Sequence, residues 1–181
     1  MRSKQQVQDG RSDLPDLVVS ASASVPPERI YATLADLSTH TTWAGTMHNK
    51  KNFGLRALEA AGGLAVVGTE FRSRGDDPMG TFTDRSVVTE ATNPSVFEFV
   101  TEGHLEPKKQ GKAACDTRIT YRFDIASVGA GSTVAYRVHI SKWTDPPAML
   151  RSALLRPIAR MVTKSYSKKM LRNLTTYATQ H

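Results

Sequence analysis

Two neighbouring stretches of this chain alternate strictly in side-chain character, and that alternation narrows the possible folds more than any other feature. Over residues 117–127, Ile119, Tyr121, Phe123 and Ile125 fall on one side, and Arg118, Thr120, Arg122 and Asp124 on the other. Over residues 133–143, Val134, Tyr136, Val138 and Ile140 oppose Ala135, Arg137 and His139. A period of two is that of a β-strand, so both stretches are predicted strands of a sheet with one apolar, aromatic face and one wet face. The turn residues Gly129, Ala130 and Gly131 lie between them, and so short a connection implies an antiparallel hairpin.

Four further strands are expected over residues 55–60, 64–74, 81–91 and 95–102, with turn residues at 61–63, 75–78 and 93–94. Phe97 and Phe99 extend the apolar face, as do Val67 and Phe71 in the strand over 64–74. The longer gap over 103–116, with Lys108, Lys109 and Lys112, reads as an extended hairpin end or a loop. Upstream, residues 16–24 alternate apolar or small residues with serine, which gives a first strand. Pro26, Pro27 and Glu28 suit the start of a helix, and Ile30, Tyr31, Leu34 and Leu37 give it an apolar stripe. Residues 38–45 add a second short helix or turn anchored by Trp43. Residues 1–14 are polar and aperiodic and are expected to be disordered, leaving 15–181 as a single domain.

An apolar sheet face must be covered. The candidate cover is the stretch over 147–178, which has no acidic residue and no glycine. Leu155, Ala159, Val162, Tyr166, Met170, Leu174 and Tyr177 recur at helical steps, while Arg156, Arg160, Lys164 and Lys168 fall on roughly the opposite face. The expectation is a long helix, apolar inward and basic outward. Leu171 falls on the basic side and does not fit. Pro157 lacks the N–H that would bond the carbonyl of Ala153, so it kinks the helix or marks the start of its main segment.

Charge sharpens that picture. Residues 1–145 hold 17 Lys/Arg and 17 Asp/Glu, so the whole net charge of +7 sits on the seven cations of 146–181. Such a stripe is either a solvated helix face or a contact for anions, such as an anionic membrane surface. Aromatic residues do not interleave with it, which argues against stacking on single-stranded nucleic acid. The single cysteine, Cys115, excludes an internal disulfide and reads as a buried or bystander thiol. The five histidines form no H-x-H or H-x-x-x-H pair, so no metal or other cofactor is expected. No apolar run approaches the ~20 residues of a membrane span, and the N-terminus lacks a secretory pattern. The expected location is the cytoplasm.

The order of strand, helix pair, six strands and long helix is an α+β plan built on one antiparallel sheet. It resembles the START-like or SRPBCC superfamily, the helix-grip proteins that include polyketide cyclases/dehydrases and lipid-transport proteins. The resemblance spans about residues 15–179. It rests on VVSASASVPPERIYATLADLSTHTTWAG, VGTEFR, SVVTEATNPSVFEFV, TRITYRFDI followed by GSTVAYRVHI, and LRNLTTYA near the end of the chain. It implies a curved sheet of about seven strands wrapped around the C-terminal helix, two short helices after the first strand, and a deep cavity between sheet and helix. No motif selects a subfamily, so no catalytic residue carries over.

In that arrangement the expected ligand-binding residues are Trp43, Phe71, Phe97, Phe99, Tyr121, Phe123, Tyr136, Ala159, Val162 and Tyr166. Trp43 is either a core anchor or a ligand contact. A buried tyrosine needs a hydroxyl partner, so Tyr121 and Tyr136 bond each other, water or the helix, or they present hydroxyls to a ligand. Tyr166 is expected to project toward them. Arg156, Arg160, Lys164 and Lys168 are the expected contacts to an anionic surface. The functional expectation is a carrier or sensor of a hydrophobic lipid, polyketide or aromatic metabolite. The alternative is a polyketide cyclase or dehydratase that uses cavity tyrosines as general acids.

Overall fold

The alternating stretches assemble into a curved antiparallel sheet of seven strands. The computed structural model describes residues 15–44, 54–76, 80–108, 113–146 and 154–181; the side chain of Ala159 and the segment expected to be disordered, 1–14, lie outside the described residues. The strands are β1 (Leu17–Ala23), β2 (Gly54–Ala60), β3 (Glu70–Asp76), β4 (Gly80–Thr92), β5 (Val96–Pro107), β6 (Cys115–Val128) and β7 (Gly131–Trp143). Between β1 and β2 come α1 (Pro27–Ala35), a 3₁₀ turn (Leu37–Thr39) and α2 (His40–Trp43); α3 (Arg156–Gln180) ends the chain. The spatial order is β1-β7-β6-β5-β4-β3-β2. From β2 to β7 consecutive strands pair as hairpins, and β1 pairs with β7, with Val19 opposite Tyr136.

The helices start where the sequence chemistry places them. Pro27 opens α1 and Glu28 sits in its first turn, where its charge complements the helix dipole. Pro157 lies in the first turn of α3 and marks its start rather than a kink. The 147–153 part of the expected C-terminal helix lies outside the described residues.

Two expectations need correction. The strand over 64–74 begins only at Glu70. The preceding residues form a turn in which Thr69 N donates to the Val66 carbonyl at 2.9 Å and Gly68 adopts φ +88°, a conformation open to glycine and strained for most residues. Val67 therefore leaves the apolar face and is exposed, as are Leu64 and Val66.

The second correction concerns α3. Its buried row is Ser167, Leu171, Leu174, Thr175 and Ala178, and Leu171 and Leu174 are both 0% exposed. Leu171, the residue that did not fit, is thus a core residue. At 3.6 residues per turn, Arg156, Arg160 and Lys164 continue this row toward the N-terminus of the helix. Arg160 Nη2 donates to the backbone carbonyl of Asp16, just before β1, at 2.9 Å. Leu155, Ile158, Val162 and Tyr166 project from nearly the opposite side, Met161 lies on the flank beside them, and all five are exposed. In its first half both rows of α3 are exposed: the basic row lies in line with the buried row of the second half, with Arg160 reaching Asp16, and the apolar row is not covered by the sheet, contrary to the expectation.

The core fills only part of the concave face. Ile30, Tyr31 and Leu34 of α1, with Leu171, Leu174 and Ala178 of α3, pack on Val19, Val88, Phe97, Phe123, Val134 and Tyr136. The wet convex face carries cross-strand ion pairs, as the alternation suggested. Arg118 pairs with Glu102 at 2.7 Å. Arg122 reaches Glu90 at 2.6 Å, Glu98 at 3.1 Å and Asp124 at 2.8 Å. Contacts of this kind fix strand register more than they add stability.

Candidate functional site

Burial along the concave face falls from one end to the other. Phe123, Ile125, Val134 and Tyr136 are buried, whereas Ile119, Tyr121, Val138 and Ile140 on the same two strands are half-buried. The second group forms the wall of the open half of the cup.

The aromatic residues singled out in the sequence make one continuous chain along this wall. Phe71 meets Phe99 edge-on, with ring centroids 5.3 Å apart. Phe99 lies 6.2 Å from Phe97 and 5.2 Å from Tyr121. Tyr121 and Tyr136 are parallel at 6.2 Å, and Tyr136 packs on Phe123 at 4.7 Å. Cross-strand register explains the chain: Phe99 is opposite Tyr121 and Phe123 is opposite Tyr136, and paired residues of an antiparallel sheet share a face.

Trp43 is a core anchor. It is 3% exposed, its Nε1 donates to Thr39 Oγ1 at 3.0 Å, and its ring packs at a tilt against that of His40, with centroids 4.6 Å apart. His40 lies within 2.8 Å of the Leu34 carbonyl through Nε2, so that nitrogen carries the donated proton. Burial lowers its pKa to about 4, and the ring is neutral. Cys115 accepts from Trp143 Nε1 at 2.9 Å and is buried, as a structural thiol would be.

Neither Tyr121 nor Tyr136 bonds its hydroxyl to a described residue. Burial pushes both hydroxyls above the usual phenol range; the charge of Asp84 adds to this at Tyr121, and Tyr121 adds to it at Tyr136. Tyr166, on a different side of α3 from Leu171, is 40% exposed, and Val162 on the same row is 44% exposed.

The structure adds a polar row that sequence reading passed over. Across β3, β4, β5 and β6, the residues Ser73, Asp84, Gly103 and Thr117 stand opposite one another. The neighbouring row contains Ser86 and Thr101, both buried, whose hydroxyls bond at 2.9 Å. Gly103 gives this row its room: a Cβ at that position would lie 2.7 Å from both Asp84 Oδ1 and Thr117 Oγ1 and would force those side chains to shift. Ser73 Oγ donates to Asp84 Oδ2 at a long 3.4 Å. Burial raises the Asp84 pKa to about 6, opposed in part by that bond. The inward alternation of β4, Asp84-Ser86-Val88, was available in the sequence, but two polar residues in three hid it.

Elsewhere, a groove of about 280 Å³ runs between the end of β1 and the last turns of α3, lined mainly by hydroxyls such as Ser22, Ser24, Thr175 and Thr179. It touches none of the aromatic chain. Among the described residues no three His, Cys, Asp or Glu side chains gather as a metal site would require, and no described helix is long and apolar enough to cross a membrane.

No family model and no curated protein sequence matches the chain. Solved structures do resemble it. TTHA0849 from Thermus thermophilus matches with a TM-score of 0.61 at 16% identity, over 92% of this chain and 98% of that one. An uncharacterized protein from Rhizobium leguminosarum matches at 0.62 and 12%, over 92% and 95%. Ara h 8.0201 matches at 0.54 and 10%, over 92% and 99%. At such identities the likeness concerns architecture alone: a curved seven-stranded antiparallel sheet gripping a long C-terminal helix, which is the helix-grip fold.

Proposed function

We propose that the chain is a START-like (SRPBCC) protein that carries or senses a hydrophobic small molecule of lipid, polyketide or aromatic type, held against the open half of the concave face. The observation that carries this reading is the pair of tyrosine hydroxyls, Tyr121 and Tyr136, set in an aromatic wall without a described protein partner. Buried hydroxyls are rarely left unbonded, and apolar walls with a few convergent polar groups are typical of small-molecule sites. The ligand has an apolar body that lies on Phe99 and Tyr121, and a polar group that bonds the phenols.

Native mass spectrometry of freshly purified protein should show a co-purified apolar molecule, and a planar polyphenol such as quercetin should bind saturably. Tyr121→Phe and Tyr136→Phe should each weaken binding ~5–10-fold, the worth of one hydrogen bond, with no loss of thermal stability. Unchanged affinity in both variants would refute the reading.

One observation favours a catalytic variant of it, in which the substrate is a polyketide-like carbonyl compound. The phenols, pushed upward by burial, are poor acids near neutrality, but the Asp84 carboxyl in the same wall, with a pKa of about 6, suits proton transfer. A cyclase or dehydratase reading therefore moves the acid–base role from the tyrosines to Asp84. Turnover of a found substrate that survived Asp84→Asn would eliminate it.

A further inference from the structure

The outward row of α3 is too apolar for an ordinary solvated face. Leu154 is 87% exposed, Met161 66% and Ile158 50%, with Leu155, Val162 and Tyr166 each at least 40%. Leu155, Ile158, Met161, Val162 and Tyr166 recur at helical steps and share one side of the helix, over a length of about 17 Å, and Leu154 precedes them in the turn that leads into it. Contiguous exposed apolar surface of this size marks a contact face. Beyond Tyr166 the same side of the helix continues with Lys168, Lys169 and Arg172, all exposed.

We infer that this face docks the protein on an anionic phospholipid bilayer, with the apolar row seated among the acyl-chain ends and the three cations at the headgroups. Charge selects this occupant. Residues 146–181 carry seven cations and no acid, while the rest of the chain is neutral. A second copy using the same stretch would add seven further cations and no acid to meet them. An amphipathic helix with large apolar side chains and basic neighbours is the form that lies in a bilayer surface without spanning it. The contact differs from the sequence expectation. Of the four cations named there, Lys168 is on the docking side, whereas Arg156, Arg160 and Lys164 leave the helix on another side, with Arg160 bonded to Asp16.

The test is flotation of the full chain with vesicles of phosphatidylcholine, with and without phosphatidylglycerol. The wild type should float only with the anionic vesicles, and less as ionic strength rises. Replacing Lys168, Lys169 and Arg172 by Gln should weaken binding ~100-fold, at roughly fivefold per cation. Ile158→Glu with Met161→Glu should abolish it. All five side chains are exposed, so melting temperatures should hold, which separates lost docking from lost folding. Equal flotation of wild type and Ile158→Glu/Met161→Glu would overturn the inference. So would a wild type that ignores anionic vesicles and instead self-associates through Ile158. Neither result bears on the tyrosine wall, whose ligand test is independent.

Discussion

The closed and open ends of the cup are built from the same strands and the same helix, yet they obey different rules. At the closed end Leu171, Leu174, Phe97 and Phe123 are at most 1% exposed and polar groups are paired. His40 there is held by the Leu34 carbonyl. At the open end the Tyr121 hydroxyl lacks a described partner, as does that of buried Tyr136 at its border, Asp84 has a single long bond, and α3 turns its apolar row outward. Stability therefore resides in one end, while the other is shaped at some cost to stability, which is the usual mark of a working surface.

The largest test of that contrast is Leu171→Ala. It should cost ~2–5 kcal/mol through lost burial and a residual cavity, lowering the melting temperature by roughly 5–15 °C. A cost below ~1 kcal/mol would mean that this end of α3 is not the core described above.

Acid titration separates the two ends by sign. The folded pKa of His40, about 4, lies below its unfolded value of 6.5. As pH falls through that interval the unfolded chain takes up the proton first, so stability is full above it and falls by up to about 3 kcal/mol toward its lower end. His40→Gln should remove this slope, as read by denaturant unfolding at several pH values.

Asp84 behaves oppositely. Its folded pKa of about 6 lies above the unfolded 3.8, so the native state holds the proton longer and ionisation costs stability as pH rises through that window. Asp84→Asn should therefore stabilise the protein by ~1–2 kcal/mol above the window and leave it unchanged below it, allowing for partial exposure. A destabilised variant above the window would place Asp84 among the structural ionic groups.

The smallest expected effect is Ile158→Ser, within ~0.5 kcal/mol of wild type. A loss comparable with that of Leu171→Ala would erase the distinction between the two halves of α3.

Strand faces, the helix pair and the long final helix were legible because each depends on a local period. Phe71, Phe97, Phe99, Tyr121, Phe123 and Tyr136 were recognisable as one wall for the same reason, since a strand puts every second side chain on one face. Asp84 was not recognisable. A carboxylate among hydroxyls looks solvent-facing until Gly103 and Thr117 of neighbouring strands are seen beside it.

The helix marks the boundary between the two kinds of information. Its sequence determined that residues 156–180 would be helical, basic and free of acid. It also carried two rows at helical spacing, Leu155-Ile158-Val162-Tyr166 and Ser167-Leu171-Leu174-Ala178, set roughly 150° apart. Periodicity describes both rows equally well and cannot say which one meets the sheet. Only the tertiary structure decided that, because the choice depends on where α1 and β1 leave an apolar hollow. That hollow receives Leu171 and Leu174 and leaves the other row to the outside.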